Sequence, residues 1–155
     1  MHKQIPIHYQ EVSLSELSAD DHALIIHAME ATRGAYCPYS RFCVGAALRL
    51  SDGTIVTGAN QENVAYPSGL CAERTAMFAA SAQYPMLAFD TLAVVGQHAE
   101  STRFAPASPC GACRQVMAEY EQRWNRKLRV LSYVSNEKIL IFEGTENLLP
   151  FVFTL

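Results

Sequence analysis

Apolar positions fall into two kinds of segment that alternate along the chain. In Ser18 to Arg33, Leu24, Ile25, Ala28 and Met29 recur at helical spacing and form one stripe. Ser18 is a suitable N-cap, Asp20 and Asp21 complement the first turn, and Gly34 ends the helix before an Ala35–Ser40 loop. Val44 to Leu50 and Thr54 to Gly58 are short strands around Ser51-Asp52-Gly53, where Asp-Gly supplies the positive φ of a tight hairpin. After an Ala59–Leu70 loop, Cys71 to Ala82 is apolar nearly all round through Ala76-Met77-Phe78-Ala79-Ala80, the pattern of a helix buried on several sides. Thr91 to Gly96 holds the continuous run Leu92-Ala93-Val94-Val95, which suits a central strand covered on both faces. Gly111 to Arg123 is a further helix with Val116, Met117 and Tyr120 inward. Leu128 to Val134 and Lys138 to Phe142 pair around Ser135-Asn136, and Gly144 to Leu149 is a short final helix. This order implies an α/β fold with a mixed sheet between helices.

At 155 residues the chain is roughly one domain, long enough to bury about 70% of its unfolded surface. No repeat, linker or low-complexity tract divides it, so residues 1–12 read as a loosely attached arm and 13–155 as a single domain. Half the residues are hydrophobic and 17% charged, a composition that excludes a disordered chain. Fifteen acidic against twelve basic residues leave a net charge of -3, which argues against a nucleic-acid or acidic-membrane partner. The cluster from Arg123 to Arg129 is read as capping a helix and solvating the next connection. No run of 18 apolar residues could span a bilayer, and Met1 to Glu11 lacks the features of a signal peptide; the expected compartment is the cytosol. In that setting five cysteines are expected as metal ligands or reduced thiols.

Two local motifs carry candidate chemistry: Cys71-Ala72-Glu73-Arg74 and Pro109-Cys110-Gly111-Ala112-Cys113-Arg114. Each alone fits a redox pair or half of a structural zinc site as well as a catalytic metal. Together they say more, because both stand where a helix begins. Cys110 and Cys113, at i and i+3, project from one face, and free N–H groups and the dipole at a helix start favour thiolates. With Cys71 added there are three sulfurs for one zinc and no evident fourth ligand, the composition of a site that keeps one position open. None of His2, His8, His22, His27 and His98 has ligand spacing, and Cys37 and Cys43 are read as small packing residues. Glu73, two residues from Cys71, is placed to take a proton from a metal-activated water and return it to a substrate nitrogen. Arg74, at i+3 from Cys71, can donate to sulfur and offset the charge of three thiolates.

At these residues the sequence resembles the zinc-dependent cytidine deaminases of the small homotetrameric type. The resemblance runs from Tyr36 to Val116. It includes Tyr36-Cys37-Pro38-Tyr39-Ser40-Arg41-Phe42 with Val44-Gly45-Ala46-Ala47, Asn60-Gln61-Glu62-Asn63 with Tyr66-Pro67, and both cysteine motifs, in the family's order. Gln61, Cys43 and Val64 depart from the family's usual choices. The resemblance implies a three-layer α/β/α sandwich around a mixed five-stranded sheet. It implies one zinc per subunit on Cys71, Cys110 and Cys113, with Glu73 as proton shuttle for attack of a zinc-activated water on C4 of cytosine. It also implies that Asn60 and Glu62 bind the ribose 3′-hydroxyl, that Phe42 lies against the base, and that the Ala72 backbone meets the pyrimidine. Tyr66 and Phe153 would complete neighbouring pockets in a homotetramer, with Phe151 the other aromatic available near the chain's end. The implied activity is hydrolytic deamination of cytidine and 2′-deoxycytidine in pyrimidine salvage. A zinc deaminase of another aminopyrimidine or of a nucleoside antibiotic, a non-catalytic zinc-stabilised binding module and a thiol redox protein are the alternatives.

Overall fold

The computed structural model describes residues 1–155. Its strands are β1 (Gln10–Val12), β2 (Phe42–Leu50), β3 (Ile55–Ala59), β4 (Phe89–His98), β5 (Phe104–Ala105), β6 (Arg129–Ser135) and β7 (Lys138–Glu143). Its helices are α1 (Ala19–Ala31), α2 (Ala72–Gln83) and α3 (Gly111–Trp124). The sheet runs β1-β7-β6-β4-β2-β3, with β5 paired to the end of β4; β4 and β6 are parallel and every other pair is antiparallel.

This is the expected three-layer arrangement, with seven strands instead of five. The two additions, β1 and β5, are three and two residues long, too short to show any hydrophobic period. β1 comes from the segment read as an arm: Gln10, Glu11 and Val12 pair with Ile141, Leu140 and Ile139. The final helix shrinks to a 3-10 turn at Thr145–Asn147, and another such turn, Thr32–Gly34, completes α1. No helix is long and apolar enough to cross a membrane.

The stripe predicted on α1 packs on one face of the sheet, where Leu24, Ile25 and Ala28 meet Ala47, Ala93, Val95 and Leu131. The other face carries α2 and α3, with Ala72, Ala76, Met77, Cys113 and Met117 against Ala46, Leu48, Leu92 and Val130. Successive residues of β4 therefore serve opposite cores, which is why its sequence is continuously apolar. Gly58 on β3 sets the height of α2. A Cβ there would lie 2.5 Å from the Ala76 nitrogen and 2.6 Å from the Ala72 oxygen, so only glycine lets the helix come this close.

Ser18 caps α1 by accepting from the Asp21 backbone N–H, as read from the sequence. Asp21 does more than complement that first turn. Its carboxylate is buried and pairs with Arg49 at 3.0 Å and with Arg129. Burial alone would raise its pKa, but the two guanidiniums outweigh that and hold it below the usual carboxylate value. The basic cluster at 123–129 is likewise engaged internally: Arg126 pairs with Asp90, Lys127 with Glu146 and Arg129 with Glu143, while Arg123 donates to Ser81 and the Pro85 carbonyl.

Candidate metal centre and nucleoside pocket

Both cysteine motifs start helices, and the packing of α2 beside α3 brings those starts together. Cys71 is the N-cap of α2 and Cys110 that of α3, each in extended conformation. Neither sulfur is spent on capping its own helix, so both stay available to a ligand. Thr75 N–H to the Cys71 carbonyl and Arg114 N–H to the Cys110 carbonyl close the first turns. One turn into α3, Cys113 is buried on the side facing α2.

The Cys71 and Cys110 sulfurs are 3.6 Å apart, as are those of Cys110 and Cys113, and all three lie within 4.8 Å of one another. Sulfurs about 2.3 Å from a tetrahedral zinc stand about 3.8 Å from each other, so the donor set fits that ion. No His, Asp or Glu joins them as a fourth donor. The Arg74 guanidinium lies 3.5 Å from the Cys71 sulfur and donates to it. Hydrogen bonding from Cys113 chiefly, with Arg74 and Cys110 adding to it against the effect of burial, brings Cys71 down to about 5. Cys113, which gives that hydrogen bond and is itself buried, is pushed up. Negative charge is thus held on sulfur at the mouth of two helix dipoles, and Arg74, bonded to that charge, is raised further.

Glu73 is only 3% exposed, and burial lifts its carboxyl to about 7. A carboxyl poised there can both accept and release a proton near neutral pH. It opens into a cavity of about 350 Å³ that it shares with Phe42, Asn60, Cys71, Ala72 and Cys110. A second cavity of about 460 Å³ adjoins it through Asn60 and Cys71, and is walled by Glu62, Tyr66, Tyr39 and Arg74. The two together form one groove leading outward from the sulfurs.

The polar wall of this groove is held by backbone contacts that no sequence motif announces. Asn60 accepts from the Val44 N–H at 2.7 Å and donates to the Phe42 carbonyl at 2.9 Å, locking the entry to β2. Its amide keeps one N–H and one lone pair unspent. The Glu62 carboxylate accepts from the N–H groups of Tyr39 at 2.8 Å and Ser40 at 3.2 Å. The bonds from Ser40 and Tyr39 hold its pKa below the ordinary glutamate value. Phe42 stacks edge-on to His98 with ring centres 5.1 Å apart, and Tyr66 meets Tyr39 at 6.3 Å.

Of the residues singled out in the sequence, Cys71, Cys110, Cys113, Glu73, Arg74, Phe42, Asn60, Glu62, Tyr66 and Ala72 all meet at this groove. Phe153 does not: the residue is 72% exposed and lines neither cavity. Its backbone is pinned to α3 by a paired amide contact, in which Gln115 donates to the Phe153 carbonyl at 2.9 Å and accepts from its N–H at 3.1 Å. Arg114 braces the same region by donating to the carbonyls of Pro109 and Leu148. Gln115 and Arg114 were legible only as neighbours of a cysteine motif.

Cys37 and Cys43, expected as reduced packing residues, are joined in a disulfide. The cause is a turn the sequence pattern left as an open loop. Arg41 adopts a left-handed φ of 55° and donates to the Cys37 carbonyl at 3.0 Å, which folds the chain back until the two Cα atoms are 5.8 Å apart.

A mixed sheet between helices, presenting three converging thiols and a buried carboxyl at two adjacent helix starts, defines the class of the α/β/α proteins with a tricysteine metal centre. Within that class the description "Cytidine and deoxycytidylate deaminase zinc-binding region" fits residues 18–125, and the chain belongs to this family. It is 46% identical over 136 residues to a cytidine deaminase of Sporosarcina psychrophila, covering 87% of this chain and 92% of that protein. A cytidine deaminase of Halalkalibacterium halodurans is 51% identical over 100 residues, 64% of this chain and 71% of the relative. The crystal structure of cytidine deaminase from Burkholderia pseudomallei superposes with a TM-score of 0.72 at 42% identity, over 85% of this chain and 98% of that one.

Proposed function

We propose that the chain hydrolyses the C4 amino group of cytidine and 2′-deoxycytidine, releasing ammonia and leaving uridine and 2′-deoxyuridine, as an enzyme of pyrimidine salvage. The observation that carries this reading is the meeting of three sulfurs, without a fourth donor, and a buried glutamate at the inner end of one groove. Cys71, Cys110 and Cys113 would hold one zinc ion per subunit, and that ion would supply Lewis acidity to the attacking water.

The chain's own residues do the rest. Glu73 takes a proton from the attacking water and passes it to N3 of the base. It then carries the proton of the new C4 hydroxyl to the exocyclic nitrogen as ammonia leaves. Arg74 draws charge from the Cys71 sulfur, which limits how far three thiolates blunt the metal. The Ala72 backbone meets the pyrimidine edge and Phe42 its face. Asn60, with the N–H and lone pair left to it, and Glu62 receive the ribose 3′-hydroxyl.

Glu62 also selects against larger substrates. Its carboxylate accepts a hydrogen bond from a free hydroxyl but repels a 3′-phosphate, so the substrate is a free nucleoside and not a polynucleotide. Tyr66 and Phe153 reach neighbouring pockets in a homotetramer; that both are largely exposed in the single chain, at 76% and 72%, supports this role. Residues 13–155 form the catalytic domain and 1–12 an arm whose end, Gln10–Val12, is anchored to β7, and the enzyme works in the cytoplasm.

The test is metal analysis and a cytidine assay on one sample. One zinc per chain and a fall in ultraviolet absorbance on adding either nucleoside are expected. Zinc-loaded protein that turns over neither nucleoside overturns the reading.

A further inference from the structure

Cys37 and Cys43 take no part in the deamination, yet their disulfide closes a ring around part of the groove wall. Inside that ring lie Tyr39 and Ser40, whose N–H groups hold the Glu62 carboxylate, and Phe42, which lines the cavity beside Glu73. Successive residues of a strand face opposite sides, so Cys43 fastens the start of β2 from behind while Phe42 faces the cavity. Both cysteines are partly exposed, within reach of small oxidants and thiols. The remaining three cysteines are those of the sulfur cluster.

The ends of this segment have other ties. Tyr36 N–H donates to the Asn60 carbonyl, and Ala99 N–H to the Arg41 carbonyl. Between them, Pro38 to Ser40 is held by the Arg41–Cys37 turn, by Glu62 itself, by the Ser40 hydroxyl that accepts from the Phe42 N–H, by the edge contact of Tyr39 with Tyr66 and by the disulfide. Opening the disulfide therefore loosens the cradle of Glu62 without unmaking the sheet.

We propose that Cys37 and Cys43 are a reversible redox site that sets how tightly the groove holds the ribose of its substrate, an inference that rests on the function proposed above. The oxidant is a low-molecular-weight disulfide such as oxidised glutathione. One cysteine thiolate attacks it and expels one small thiol; the other cysteine then displaces the second small thiol from the mixed disulfide. The two protein thiols lose two protons and two electrons, and the oxidant becomes two thiols. Excess reduced glutathione runs the exchange backwards.

The experiment uses the zinc-loaded full chain equilibrated with oxidised or reduced glutathione. Trypsin and mass spectrometry read the bond: peptides 34–41 and 42–49 run as one linked species when it is closed and as two alkylated peptides when it is open. On the same samples, bound zinc and initial rates on cytidine are measured. The oxidised form is expected to have a KM about two- to tenfold lower, the range for weakening one hydrogen bond, with kcat unchanged. Cys43→Ser and Cys37→Ser, with full zinc, should each hold KM at the reduced value in both conditions. Normal turnover with a KM that ignores glutathione overturns the inference alone, as does oxidation that links only Cys71, Cys110 or Cys113. Absence of turnover in both states overturns the functional reading and this inference with it.

Discussion

Replacing Gly58 by alanine tests whether the seating of one helix governs the centre. The added Cβ meets the Ala76 nitrogen at 2.5 Å, the Ala72 oxygen at 2.6 Å and the Ala76 Cα at 3.0 Å, all of them backbone atoms that no rotamer change can move. Restoring a contact of 3.4 Å requires α2 to recede by about 0.9 Å at Ala76. Overpacking of this kind costs about 1–3 kcal/mol, and the upper end applies because backbone must shift. In a chain of this size about 3 kcal/mol lowers Tm by about 6–12 °C. The same movement carries Cys71 and Glu73, at the start of α2, away from Cys110 and Cys113 on α3. A misplacement near 1 Å costs on the order of 10²-fold in rate. Thermal unfolding followed by circular dichroism reads the first effect, and kcat/KM on cytidine with zinc content reads the second. Gly111→Ala is the matched control: a Cβ there meets nothing within 4 Å, so Tm should hold or rise, the fold gaining up to about 1 kcal/mol. A Gly58→Ala protein with unchanged Tm and full activity would refute the reasoning.

Glu73→Gln keeps the volume but cannot shuttle a proton; kcat should fall by about 10²–10⁴ with zinc content unchanged, and full activity would remove Glu73 from its role. Arg74→Gln deletes the donor to the Cys71 sulfur and should weaken zinc retention against a chelator by about 10–100-fold, a loss read directly by metal analysis. Asp21→Asn removes the buried carboxylate shared by Arg49 and Arg129, which keep Asp90 and Glu143 as second partners, and should cost about 1.5–3 kcal/mol at pH 7. Because the folded pKa of Asp21 is depressed, its contribution is complete above the unfolded value of about 3.9 and vanishes as pH falls through the folded one. The difference in Tm between wild type and Asp21→Asn should therefore shrink below about pH 4; a gap that stays constant to pH 2 would contradict the assignment.

Much of the fold was legible because its elements are long and regularly patterned. The stripe of Leu24, Ile25, Ala28 and Met29 identified α1, and the unbroken run of β4 announced a strand covered on both sides. β1 and β5 escaped because a pair of two or three residues gains its hydrogen bonds from a distant strand and leaves no period of its own. Cysteine spacing pointed to the metal centre, since i and i+3 on a helix already share a face. The local sequence held no trace of the Tyr39 and Ser40 amides that grip Glu62. Backbone N–H groups are identical in every residue but proline, and only folding says where they point.

The amino-acid sequence alone specified the longer elements, the residues chemically able to bind zinc and move protons, and the family to which the chain belongs. Those properties follow from side-chain type and short-range periodicity, which are local. Tertiary structure alone decided that Cys71 comes within 3.6 Å of Cys110, that Asp21 neutralises two arginines from distant strands, and that Cys37 and Cys43 become partners. Each of these depends on how closely helices approach the sheet and how a turn reverses, distances set by packing among residues far apart in the chain.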